Sequence, residues 1–195
     1  MPRLKLVFAF LALAVLGACA AQLPWASDAR VAQAFYKGPG PTSITLMTVV
    51  ANDNNAAGHS SLLINASQRV LYDPAGTWFN RAVPERADML YGMTPKMLQY
   101  YIDYHARKRF RVVMQTLVVP PAVAEKIFRA AVERGATPSG FCANATSHLL
   151  NQIPGLEKFP VSIWPKSALE AMAKIPGVTT RVIYQDDIGK DLHGA

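Results

Sequence analysis

The chain has 195 residues, with 20 Lys and Arg against 13 Asp and Glu for a formal net charge of +7, and half of it is hydrophobic. That length suits one domain with a sizeable core, and no repeat, low-complexity tract or second-domain boundary interrupts it. The basic surplus is scattered apart from Arg107-Lys108-Arg109 and Arg111, which reads as a solvated element end rather than a nucleic-acid footprint, so no nucleic acid is expected as partner.

Arg3 and Lys5 precede an apolar run from Leu6 to Leu16, too short for a span of about 20 residues but suited to the core of an export signal. Leu16-Gly17-Ala18-Cys19 then resembles a bacterial lipobox. The resemblance implies a signal peptide over 1–18, cleavage before Cys19, and lipidation of its sulfur and new amino group. An ordinary signal cut nearby is the alternative. Acyl chains there would hold the protein to a membrane without a spanning helix. Ala20, where an Asp would argue for inner-membrane retention, favours the periplasmic face of the outer membrane.

Residues 19–41 read as a tether, with a short helix around Ser27 to Phe35 and a breaker at Gly38-Pro39-Gly40-Pro41. The folded domain is expected over 42–195. Ser43 to Ala51 is β-branched and apolar, a buried strand. Ser60 to Ile64 and Arg69 to Tyr72 read as a hairpin, broken by Asp73-Pro74-Ala75-Gly76, with a long loop through Pro84. Thr94-Pro95 caps and opens a helix to about Arg107. Phe110 to Val119 is a strand, and Pro121 to Arg134 a helix stopped by Gly135. Ser139 to Gln152 is a third helix, Trp164-Pro165 opens a fourth, and Val178 to Tyr184 is a last strand. Adjacent strands and clustered helices define an α+β fold, a largely antiparallel sheet packed against helices.

With Cys19 spent on the anchor, Cys142 is the remaining thiol. It falls in the first turn of the third helix, where partial positive charge and free N–H groups stabilise a thiolate. Cys142, Ala145, Thr146 and Leu149 share one helix face, whereas His148 lies about 120° around and cannot serve the sulfur. The candidate base is His59, which opens an apolar strand. Asp73 is the candidate third group, fixing the imidazole tautomer. A three-residue hairpin loop (Asn65 to Ser67) would oppose His59 and Asp73 on one face, and a two- or four-residue loop would separate them. Each residue also has a plainer role. Cys142 could only pack, His59 could be a core histidine, and Asp73 could only make its turn. His105 and His193 have no supporting context, and Tyr91, Tyr100, Tyr101 and Tyr104 read as packing. No metal-ligand spacing and no cofactor motif occurs.

The order of a Gly-His-Ser strand start (Gly58-His59-Ser60), a hairpin ending in a polar residue, and a later Cys at a helix start resembles a circularly permuted papain-like domain, over roughly Ser43 to Ile153. That superfamily includes cell-wall peptide amidases and lecithin–retinol acyltransferase-like enzymes. The resemblance implies Cys142 as nucleophile, His59 as base and Asp73 as the third polar group. Phe141 stands where relatives often carry Asn before the cysteine. The function expected is a membrane-anchored cell-envelope cysteine hydrolase (peptidase or amidase) or acyltransferase, acting on an envelope peptide or a lipid. The alternatives are a non-catalytic binding or assembly module on the same scaffold, and a redox partner linked through Cys142.

Overall fold

The computed structural model describes residues 25–186. The expected signal peptide, the lipidation site Cys19, the first part of the tether and His193 lie outside the described residues. Within them the chain is a mixed α+β protein with five helices and one seven-stranded antiparallel sheet. The elements are α1 (Asp28–Gln33), β1 (Ser43–Ala51), β2 (Ala57–Asn65), β3 (Arg69–Tyr72), β4 (Glu85–Arg86), β5 (Met89–Leu90), α2 (Pro95–His105), β6 (Phe110–Val118), α3 (Pro121–Arg134), α4 (Cys142–Leu150), α5 (Pro165–Met172) and β7 (Thr179–Ile183). The strands run in the order β4-β5-β3-β2-β1-β6-β7. No helix among the described residues is long and apolar enough to cross a membrane.

The period of two along each strand sorts residues to two faces. Ile44, Leu46, Leu62, Ile64, Val70 and Tyr72 point to one face, where they pack with Ile127 of α3, Leu149 of α4 and Met172 of α5. Met47, Leu63, Leu71 and Val112 point to the other, where α2 and the 73–93 segment cover them through Tyr101, Ile102, Trp78 and Met93. The sheet is therefore the middle of three layers. Because β1 is central and paired on both sides, its run of β-branched and apolar residues has no solvent face to alternate with.

The helix starts follow their caps. Thr94 Oγ1 accepts from Met97 N, and Pro95 occupies the first turn of α2. At α4 the sequence expectation is corrected: the helix begins at Cys142, not Ser139, because Gly140 has φ +83° and breaks the chain just before it. Strands β4 and β5, two residues each, went unread between the long loop and α2, being too short to show a period. Residues 25–41, read as tether, lie along the body. Trp25 bridges to Arg86, Ala26 N–H donates to Glu85 O, and the Asn65 amide donates to the carbonyls of Pro39 and Pro41.

Candidate active site

The hairpin register decides whether His59 and Asp73 meet. Asn65 pairs with Arg69 and Leu62 with Tyr72, so the loop is Ala66 to Gln68. It has three residues, as the parity requirement demands, but starts one residue later than expected. Continuing that register places Asp73 opposite Ser61, diagonal to His59 rather than directly across. Diagonal neighbours share a face and lie within reach of long side chains. His59 Nε2 and Asp73 Oδ1 are 2.7 Å apart.

Asp73 is 5% exposed, and a carboxylate that deep must be well partnered. Tyr101 Oη, buried on α2, donates to the same Oδ1 at 2.6 Å and lies 2.9 Å from Ser61 Oγ. The Asp73-Pro74-Ala75-Gly76 turn wraps the other side. Gly76 N–H donates to Asp73 O, and a Cβ at Gly76 would overlap the Asp73 carboxylate. The turn and the site are one structure, so the two readings of Asp73 coincide.

Cys142 reaches the site from the opposite layer, as the first residue of α4, and is 6% exposed. Its thiol lies close enough to His59 for each group to shift the other's proton affinity. With Nε2 committed to Asp73, Nδ1 is the ring nitrogen left for sulfur. Ser60 also lowers the proton affinity of the sulfur. Ser60 Oγ in turn lies 3.1 Å from Thr146 Oγ1, and Thr146 donates to Cys142 O. Strand β2 thus serves both layers: Ser60 faces the helix that carries Cys142 while His59 and Ser61 face Asp73.

The electrostatics follow from these contacts. Burial disfavours the His59 imidazolium, but the Asp73 hydrogen bond, the Cys142 hydrogen bond and both partners' charges overcome it and push the pKa up to about 10. Burial pushes the Cys142 thiol up, and hydrogen bonding and charge from His59 together with Ser60 outweigh it, leaving the pKa below the ordinary value. Both shifts favour a thiolate–imidazolium pair.

Two groups that sequence reasoning set aside belong here. Tyr101 is part of the relay rather than packing alone. His105, one turn on, stacks on His59 with ring centroids 5.7 Å apart and planes 10° from parallel. Its Nδ1–H donates to Tyr101 O at 2.9 Å, and burial lowers its pKa, keeping it neutral beside the His59 cation. The spacing Tyr101, His105 was the available signal, since residues four apart share a helix face. His148 is exposed and apart from the site, as the helical wheel predicts. Among the described residues, no three of His, Cys, Asp and Glu stand together in a metal-holding arrangement.

A second acidic group flanks the relay. Glu85 is pushed up to about 7 by burial and by the charges of Asp73 and Asp88. Asp88, itself raised by burial, accepts from Thr137 N at 2.7 Å and Ala75 N at 3.2 Å.

No protein-family model, no curated protein and no solved structure matches the chain.

Proposed function

We propose that the protein is a cell-envelope thiol hydrolase or acyltransferase with a permuted papain-like arrangement over 42–195. Its lipid anchor is Cys19, and it sits on the periplasmic face of the outer membrane. The observation that carries the reading is His59 bound through Nε2 to Asp73 and electrostatically coupled to Cys142, with Nδ1 left for the sulfur. In this reading the Cys142 thiolate adds to an amide or ester carbonyl, and the oxyanion faces the Cys142 N–H, which has no acceptor within its helix. The His59 imidazolium gives its proton to the departing amine or alkoxide, leaving a thioester. Neutral His59 then activates water, or a second acceptor, to release the acyl group. Asp73 holds the imidazole in the tautomer this needs, and Tyr101 holds Asp73. An envelope peptide is the favoured substrate and a lipid ester the next. A binding or assembly module on the same scaffold is the second reading, favoured by the near-complete burial of Cys142.

The test is the pH dependence of Cys142 alkylation by iodoacetamide in the full chain carrying Cys19→Ser, which leaves one thiol. The expected thiolate pKa lies below the free-thiol value of about 8.5. His59→Ala should raise it, because hydrogen bonding and positive charge both leave. A thiol of ordinary pKa, indifferent to His59, would sink the enzymatic reading in favour of the binding module.

A further inference from the structure

A groove of about 380 Å³ opens between the end of α2 and the start of β6. Val49, Tyr104 and Phe110 line it with His105, and Arg107, Lys108 and Arg109 complete its wall. Two contacts tie it to the relay: Val49 is the cross-strand partner of His59, and the His105 ring stacks on the His59 ring. The groove thus begins one side chain from the imidazole.

Its chemistry is apolar on the floor and cationic at the rim. Arg107, Lys108 and Arg109 are exposed, and none of them is ion-paired among the described residues. Arg107 Nε donates to Tyr104 O, whereas the Arg111 guanidinium is spent on Ala51 O, Asn52 Oδ1 and Asn55 Oδ1, which ties the β1–β2 turn to β6. The Arg107 and Lys108 carbonyls accept from Phe110 N and from the Asn52 amide, so the three cations stand on a turn with fixed backbone. Planar guanidinium groups match carboxylates in two-point hydrogen bonds. The volume lies at the low end of the range of about 300–1,000 Å³ for ligand sites; it has room for a side chain or two, not for the paired acyl chains of a membrane lipid.

We propose that this groove binds the acyl side of an acidic peptide, an apolar side chain on its floor and a neighbouring carboxylate against Arg107, Lys108 and Arg109. The proposal rests on the thiol-hydrolase reading for what happens next, but not for binding itself.

The experiment compares acetyl-Glu-Leu p-nitrophenyl ester with its Gln-Leu counterpart, in the full chain carrying Cys19→Ser. Cys142 Sγ displaces p-nitrophenolate and forms a thioester, so released nitrophenolate reports acylation. The Glu ester should react about tenfold faster, the worth of one charge-assisted hydrogen bond. That ratio should fall with added salt and collapse to about one in the Arg107→Gln, Lys108→Gln, Arg109→Gln variant. Equal acylation rates, where Cys142 is acylated at all, overturn the proposal. A second arm does not need reactivity: in the Cys142→Ala chain, acetyl-Glu-Leu amide should bind about tenfold tighter than the Gln-Leu amide, with the preference lost in the triple variant. No preference there overturns the groove, whereas a binding preference without acylation overturns the hydrolase reading and leaves the groove standing. If short-chain phosphatidylglycerol binds with dependence on the three cations while the peptides do not, the groove is a lipid site and the peptide proposal falls.

Discussion

The two faces of the sheet are built on different principles. The face toward α3, α4 and α5 is a floor of Ile44, Leu46, Leu62, Ile64 and Val70 meeting Ile127, Leu149 and Met172, with neutral polar contacts where Ser60 meets Thr146, Gln115 meets Leu169 O and Tyr72 meets Thr137. The face toward α2 carries Met47, Leu63 and Leu71, yet it also buries Asp73 with Ser61, Tyr101 and His59 around it. Close packing of aliphatic groups holds the Cys142 helix in place. Short, charge-assisted hydrogen bonds hold His59 and Asp73. The difference teaches where rigidity and reactivity come from: one face supplies position, the other supplies charge, and β2 alternates between them.

Substitutions on the two faces should therefore fail in different ways. Ile64→Ala, fully buried on the aliphatic face, should cost about 2–5 kcal/mol of stability, read by urea unfolding. The alkylation pH profile of its folded form should stay where it was. A shifted profile would break the division between the faces.

Asp73→Asn on the other face should cost less, about 1–3 kcal/mol, but should move the chemistry. His59 would lose the carboxylate that holds its pKa at about 10, and burial would then favour neutral imidazole. The stabilising contribution of that imidazolium is present below its unfolded value of about 6.5 and is lost as pH rises through about 10. In Asp73→Asn this pH dependence should shrink, with Cys142 alone left to raise the imidazole, and the Cys142 thiolate pKa should rise, as seen by thiolate absorbance.

The smallest effect is expected at Glu85. Its folded-state pKa of about 7 lies above the ordinary 4.5, so ionising it opposes folding. Stability present at pH 4.5 should be lost as pH rises through 7, and Glu85→Gln should flatten that slope by a few degrees in Tm. An unchanged slope would remove Glu85 from the charge cluster around Asp73.

Much of this was legible in the chain because local rules carried it. Ser43–Ala51 reads as a buried strand because nothing in it tolerates water, and Thr94-Pro95 reads as a helix start because the cap and the proline agree. The hairpin parity that brings His59 and Asp73 to one face was only half legible, because it turns on a loop length that the sequence leaves open among two, three and four residues. What stayed hidden depends on long-range meetings. Tyr101 lies 28 residues from Asp73, and His105 is brought to His59 only by the packing of α2 on the sheet. Residues 25–41 look like linker by composition, yet their backbone polar groups find partners on β4 and the β2–β3 hairpin. The start of α4 moved by three residues because Gly140 takes a conformation that composition does not announce.

At Gly76 the requirement is for empty space. The Asp73 carboxylate occupies the volume a Cβ would fill, and the same turn ties Ala75 N–H to Asp88 and Gly76 N–H to the Asp73 carbonyl. A single methyl at position 76, carrying no charge and touching no proton, must displace the acid that sets the proton affinity of His59. The loop beyond it is thereby geared to His59: a purely steric change three residues from Asp73 would be read out as a change in titration.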